Sequence, residues 1–182
     1  ESLCETQGWH PSQVVKVLML LARMEDESEK PLLVALRGDQ DLNQVKLVNA
    51  LSRLLDQGVL DCRPITVEET ARQGLDPLPL GAIGPDLDDA VLKGASSWAP
   101  SFIRLADTTA TELDRFHCGG NSQELHRCHC DWETLGGRPE GQDLRNARAG
   151  EACVHNPKAR LQDKRGIEVG HIFQLGRKYS EA

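Results

Sequence analysis

At 182 residues, 39% of them hydrophobic and 27% charged, the chain is long enough to bury one sizeable core with appendages, and it reads as soluble and globular. No apolar run approaches the roughly 18 residues that a membrane span needs. A net charge of −7 argues against a stand-alone binder of long nucleic acid, which would neutralise many phosphates with Lys and Arg, but permits a short single-stranded end to dock through a few cations.

The opening residues, ESLCETQGWH, lack the basic and apolar regions of a secretory signal. The six cysteines therefore read as reduced thiols of a cytoplasmic protein, not as a disulfide framework. Pro11-Ser12-Gln13 is expected to open a helix whose apolar face is Val14, Val17, Leu18 and Leu21. The acidic cluster at residues 25–29 ends it in a solvated turn. The stretch PLLVALRGDQDLNQVKLVNAL, residues 31–51, follows. Its apolar run at 32–36 suits one buried strand, and Arg37-Gly38-Asp39 breaks it. A helix is expected from about Asp41, with Val45, Val48, Leu51 and Leu55 as the stripe on the core, Lys46 off that stripe, and Gly58 as the C-terminal cap.

Residues 59–65 read as a second strand. Thr66-Val67-Glu68-Glu69 is a capping-box pattern for a short helix ending at Gly74. DPLPLGAIGPD then carries so many Pro and Gly residues that a rigid loop is expected, with backbone amides free to point inward. Residues 87–105 read as irregular, leading into a short strand before Asp107. A short helix at 108–116, a turn at 117–120 and a strand at 125–132 come next. Residues 133–163, rich in Gly, Arg and Asn, read as a linker or extended surface segment, and Ile167, Val169, Ile172 and Phe173 alternate around Gly170 as a strand would. No internal repeat is present. Strand, helix, strand, helix and a Gly-Pro loop give an α/β class.

Several segments together are similar to one family. RGDQDLNQVKL (37–47) resembles the R-G-D-x-x-x-N-x-x-K-L signature of the editing domain inserted in bacterial-type prolyl-tRNA synthetases. GAIGP (81–85) resembles that domain's G-x-x-G-P loop, and CGGN (118–121) followed by His126 resembles its G-x-N…H segment. DLRNARAGE (143–151) and RGIEVGHIFQLGRKYSEA (165–182) resemble the return into the synthetase's catalytic domain. The resemblance implies a mixed, mainly antiparallel curved sheet flanked by helices. It further implies an editing domain over 1–145, a linker over 146–164, and a fragment of class II catalytic domain over 165–182, so that the chain is part of a longer polypeptide.

The implied activity is hydrolysis of alanine mistakenly esterified to proline tRNA, with the tRNA acceptor end and the rest of the synthetase as partners. The parent would be a homodimer that uses ATP and Mg, while editing would need no cofactor and no metal. Lys46 would position the substrate as a point charge, although most helical lysines are simply solvated. Gly81 and Gly84 would let backbone N–H groups approach a carbonyl whose oxygen gains negative charge under attack by water. Ala82, Ile83, Pro85 and His126 would shape the pocket for a small aminoacyl group. The chain departs from the family pattern at Ala82, often Ser, and at Asp131-Trp132-Glu133-Thr134, where Asn-Trp-x-Arg-Asp is common. No Ser-His-Asp or Cys-His nucleophile pattern stands at the expected positions.

A competing constellation is His117-Cys118 with His126, Cys128, His129 and Cys130, and Cys153 and His155 further on, all zinc-ligand types. Its spacing is poor. Strand alternation would put Cys128 and Cys130 on one face and His129 on the other. The alternative to the hydrolase is therefore an inactive insertion, an RNA-binding or structural module, with a zinc clasp as one form of it.

Overall fold

The computed structural model describes residues 2–166 and 170, and the strand expected at 167–173 falls outside them. The chain divides into two units, Glu1–Asn146 and Ala147–Ala182. In the second, Ala152 bridges Arg160 in antiparallel fashion.

After helix α1 (Ser2–Gln7) and a 3-10 turn at Pro11–Gln13, the chain enters strand β1 (Val15–Met24). The helix expected there is thus a strand. Val14, Val17, Leu18 and Leu21 mimic a helical period because β1 is apolar almost throughout, and that composition suits a strand buried on both faces. Leu20, Ala22 and Met24 belong to the core on one face, whereas Met19 and Leu21 belong to the core on the other.

β2 (Glu29–Arg37) pairs antiparallel with β1, and β3 (Val59–Pro64) pairs antiparallel with β1's other edge. β4 (Ile103–Asp107) and β7 (Gly141–Gln142) extend the sheet in parallel, giving the order β3-β1-β2-β4-β7. The sheet is mixed, with its longer ladders antiparallel.

Helix α2 (Gln44–Leu55) covers one face. Asn43 caps it, its side chain accepting the Lys46 N–H at 3.0 Å, which satisfies one of the orphan donors of a helix start. The buried stripe is Leu47, Ala50 and Leu51, with Val48 and Leu55 on its flank and Val45 69% exposed. The helix is therefore rotated from the expected seam. Its C-terminal cap is Asp56, left-handed at φ 48°, not Gly58. The capping box at Thr66 is present on α3 (Val67–Arg72), and Gly74 follows it at φ 76°.

On the opposite face lie the Pro-Gly loop and the segment that follows, anchored by Ile83, Leu87, Trp98 and Phe102. Helix α4 covers only Thr108–Thr111, and β5 (Phe116–Gly119) occupies the expected turn, paired antiparallel with β6 (His126–Cys130). The turn lies beyond Gly119 instead. Part of the expected linker is core: Leu144 is fully buried, donates to Asp107 Oδ2 at 2.9 Å and accepts from the Asn43 N–H at 2.8 Å. Low periodicity hid this, because a segment only two paired residues long has no period to read. No helix among the described residues is long and apolar enough to cross a membrane.

Candidate functional site

The Gly-Pro loop crosses the sheet beside β5. Gly119 abuts it so closely that a Cβ there would overlap the Ala82 carbonyl and the Ile83 oxygen. Asn121, just past β5 and left-handed at φ 60°, ties the loop from both sides. Its N–H donates to Ala82 O at 2.9 Å, and its Oδ1 accepts the Gly84 N–H at 2.6 Å. Its Nδ2 donates to Asp86 Oδ1 at 2.8 Å. Arg127 on β6 grips Asp86 with both terminal nitrogens and also donates to Gly119 O. That grip, first by hydrogen bonding, holds the Asp86 carboxyl below the usual carboxylate range.

Between this loop and the start of β1 lies a cavity of about 120 Å³ lined by Gly81, Ile83, Gly119 and His126, with Val15, Lys16 and Trp9 closing it. Such a space is small beside the roughly 300–1,000 Å³ of pockets for drug-sized ligands. Among the described residues, the N–H groups of Gly81 and Ile83 meet no acceptor, whereas those of Ala82 and Gly84 are committed to Pro79 O and Asn121 Oδ1. Ile83 is buried, and a buried N–H without a partner is rare. A larger cavity of about 470 Å³ lies along the same sheet face, with Pro85, Asp88 and Trp132 in its wall.

Of the residues singled out from the sequence, Gly81, Ile83 and His126 meet at the small cavity. Ala82 and Gly84 form the loop's buried wall, and Pro85 faces the larger cavity. Lys46 is not in this group. It rides on α2, which packs on the other sheet face, and its Nζ is held by Asp143 Oδ1 at 2.7 Å and Arg145 O at 3.0 Å. Sequence reading missed Val15 and Lys16 because the misread helix concealed which residues the start of β1 presents, and it missed Trp9, which precedes that segment. It also missed Asp86 and Arg127, whose only sequence signal is an acid and a base flanking two glycine-rich turns.

The Cys/His constellation does not assemble. Among the described residues no group of three or more His, Cys, Asp or Glu could hold a metal ion. His129 adopts a left-handed conformation at φ 55°, so the expected alternation fails; Cys128 is exposed while Cys130 is buried. The thiols of Cys118 and Cys130 lie 3.7 Å apart, and burial, with Cys130 close by, pushes the Cys118 thiol up.

His117 stacks on Trp9 at 4.2 Å with rings parallel, edge-on to His129, and its buried Nδ1 has no partner among the described residues. Burial, then the neighbouring His129, lowers its pKa. The fold thus favours neutral His117, so this contribution to stability is complete above about pH 6.5, the unfolded value, and is lost as pH falls towards the folded value. Urea midpoints between pH 7.5 and 5.5 are expected to fall in the wild type and to fall less in His117→Phe.

No family model matches the chain. It is 68% identical over all 182 residues to a proline–tRNA ligase of Parasynechococcus marenigrum (strain WH8102), covering 31% of that protein. It is 59% identical, again over its whole length, to one of Prochlorococcus marinus (strain MIT 9313), covering 30%. In sequence the chain matches one segment of the proline–tRNA ligases. It spans about a third of the length of these ligase relatives. A solved structure described as a putative trans-editing enzyme for prolyl tRNA synthetase aligns over 80% of this chain and 78% of that one, at 15% identity and a TM-score of 0.48. That degree of likeness adds nothing to the ligase kinship.

Proposed function

We propose that the chain hydrolyses alanine wrongly esterified to proline tRNA, as the editing module of a proline–tRNA ligase. The observation that carries this reading is the small cavity lined by Gly81 and Ile83, whose backbone N–H groups have no acceptor among the described residues, in a chain that matches a segment of the ligases. A synthetic site shaped for proline cannot strongly reject the smaller alanine, because missing methylenes discriminate by only about 1–3 kcal/mol each. A second site that admits alanine and excludes proline by size removes the error.

In this reading the aminoacyl group enters the cavity, and His126 and Val15 limit its size. Water attacks the ester carbonyl, the carbonyl oxygen takes up negative charge, and the N–H groups of Gly81 and Ile83 receive it. Preorganised donors of this kind contribute roughly 2.7–4 kcal/mol each. The C–O bond to the ribose then breaks, the departing ribose oxygen takes up the proton that the attacking water gives up, and alanine and free tRNA are released without a covalent enzyme intermediate. Lys46 lies outside the cavity and holds the RNA end by exchanging Asp143 for a phosphate or ribose oxygen. ATP and magnesium serve ligation elsewhere in the parent protein, a homodimer in the cytoplasm, and editing itself uses no cofactor.

The test is deacylation of Ala-tRNA(Pro) beside Pro-tRNA(Pro). Alanine is expected to be released and proline retained; release of neither, or of both at equal rates, would sink the proposal. Lys46→Ala is expected to weaken deacylation while changing stability by less than about 1 kcal/mol, since its ion pair to the largely exposed Asp143 is a surface one.

A further inference from the structure

The uncommitted N–H of Ile83 has a cause that lies outside its own loop. A trans peptide unit is planar, with its C=O and N–H antiparallel. No described peptide bond is cis. The unit joining Ala82 to Ile83 has its oxygen drawn to the Asn121 N–H at 2.9 Å, so its N–H, on Ile83, must point away from Asn121. The next donor along, Gly84 N–H, is taken by Asn121 Oδ1 at 2.6 Å. One residue therefore occupies the groups on its own side of the loop and leaves a single donor turned the other way.

Asn121 can do this only if its side chain and backbone are themselves fixed. Its φ of 60° is a conformation that Asn tolerates better than most residues, but at a cost. Asp86 fixes the amide orientation by accepting from Nδ2, which leaves Oδ1 as the only atom available to Gly84. Arg127 fixes Asp86 through both carboxylate oxygens and closes the circuit on Gly119 O. Every bond in this chain is directional, and three of its links, Asn121 to Asp86, Arg127 to Asp86 and Arg127 to Gly119, are charge-assisted.

We infer that Asn121, oriented by Asp86 and Arg127, is a positioning residue that aims the Ile83 N–H as one of the oxyanion donors of the hydrolytic site. The inference rests on the editing reading for its chemistry, but its geometric half can be measured without any activity. Asn121→Gly removes the side-chain bonds and relieves the backbone strain at once, so loss of fold does not confound it. It is expected to lower kcat for alanine release tenfold or more, since a displacement of about 1 Å can cost about 10²-fold, while KM for the aminoacylated tRNA stays within twofold. Asn121→Asp is expected to fall similarly, because a carboxylate at 121 cannot donate to Asp86 and repels it. The double variant Asn121→Asp with Asp86→Asn restores both a donor and an acceptor along the chain and is expected to recover much of kcat. A role confined to stability predicts parallel losses in melting temperature and no such rescue.

Amide resonances supply the second readout. In Asn121→Gly, Gly84 N–H exchange is expected to accelerate and the Ile83 amide signal to shift or broaden. If the wild type releases alanine but Asn121→Gly keeps its kcat within twofold, the positioning role is overturned and editing stands. If the wild type releases no alanine, editing falls and the catalytic half of the inference falls with it. An unchanged Ile83 resonance overturns the geometric half in either case.

Discussion

Gly119→Ala is expected to reduce alanine release by about 100-fold and to destabilise the fold by about 1–3 kcal/mol, the usual range for overpacking. The Cβ would land on the backbone of Ala82 and Ile83, not on the end of a flexible side chain, so no rotamer change relieves it. Either β5 or the loop must move. If the loop moves, the Ile83 N–H leaves its place, and a misplacement of about 1 Å costs about 10²-fold in rate. The left-handed region is not involved here, since Gly119 is not among the glycines of positive φ; the demand is purely for space. The check is kcat for Ala-tRNA(Pro) together with a melting curve. A variant with full activity would mean that the contact between Gly119 and the loop does not shape the catalytic site.

Phe116→Ala is expected to cost about 3–5 kcal/mol, the range for truncating a buried aromatic, which is a large part of the 5–15 kcal/mol that stabilises a typical domain. Phe116 is 1% exposed and packs at 4.8 Å from the ring of Trp132, with Val15, Ala35 and Ala106 around them. This cluster seats the two-stranded β5–β6 sheet on the main sheet. The isolated bridge between Val14 and His117 is its backbone tie to the entry of β1. Losing the ring therefore loosens the strand that carries Gly119 and leads to Asn121, and activity should fall well before the main sheet unfolds. Urea unfolding gives the stability change, and alanine release at denaturant concentrations below the transition gives the order of events.

Parts of this architecture were legible from local pattern. The strand within β2, the β3 strand and the capped α3 follow from apolar runs and capping chemistry, which are decided within a few residues. The loop at GAIGP was expected from its density of Pro and Gly, whereas Gly81, Ile83 and His126, which line one cavity, were singled out by family resemblance, not by any period. β1 was illegible for a physical reason: a strand covered on both faces is apolar at nearly every position, here all but Lys16 and Arg23, and such a run satisfies helical and extended templates alike. Residues 141–146 were illegible for the opposite reason. They are mostly polar and aperiodic, and Leu144 joins the core of β1, β2 and α2 while Asp107, far away in sequence, holds its N–H.

By itself the amino-acid sequence determined the local elements whose signals are short-ranged: the capping box of α3, the amphipathic α2 and the Pro-Gly loop. It also determined kinship with the proline–tRNA ligases, because identity over the whole length is a property of the text alone. Only the tertiary structure decided which donors stay free. The availability of an N–H depends on what lies across from it, and here that is settled by Asn121, some 40 residues further along the chain from Gly81, whose two bonds to the loop exist only once β5 has packed beside it.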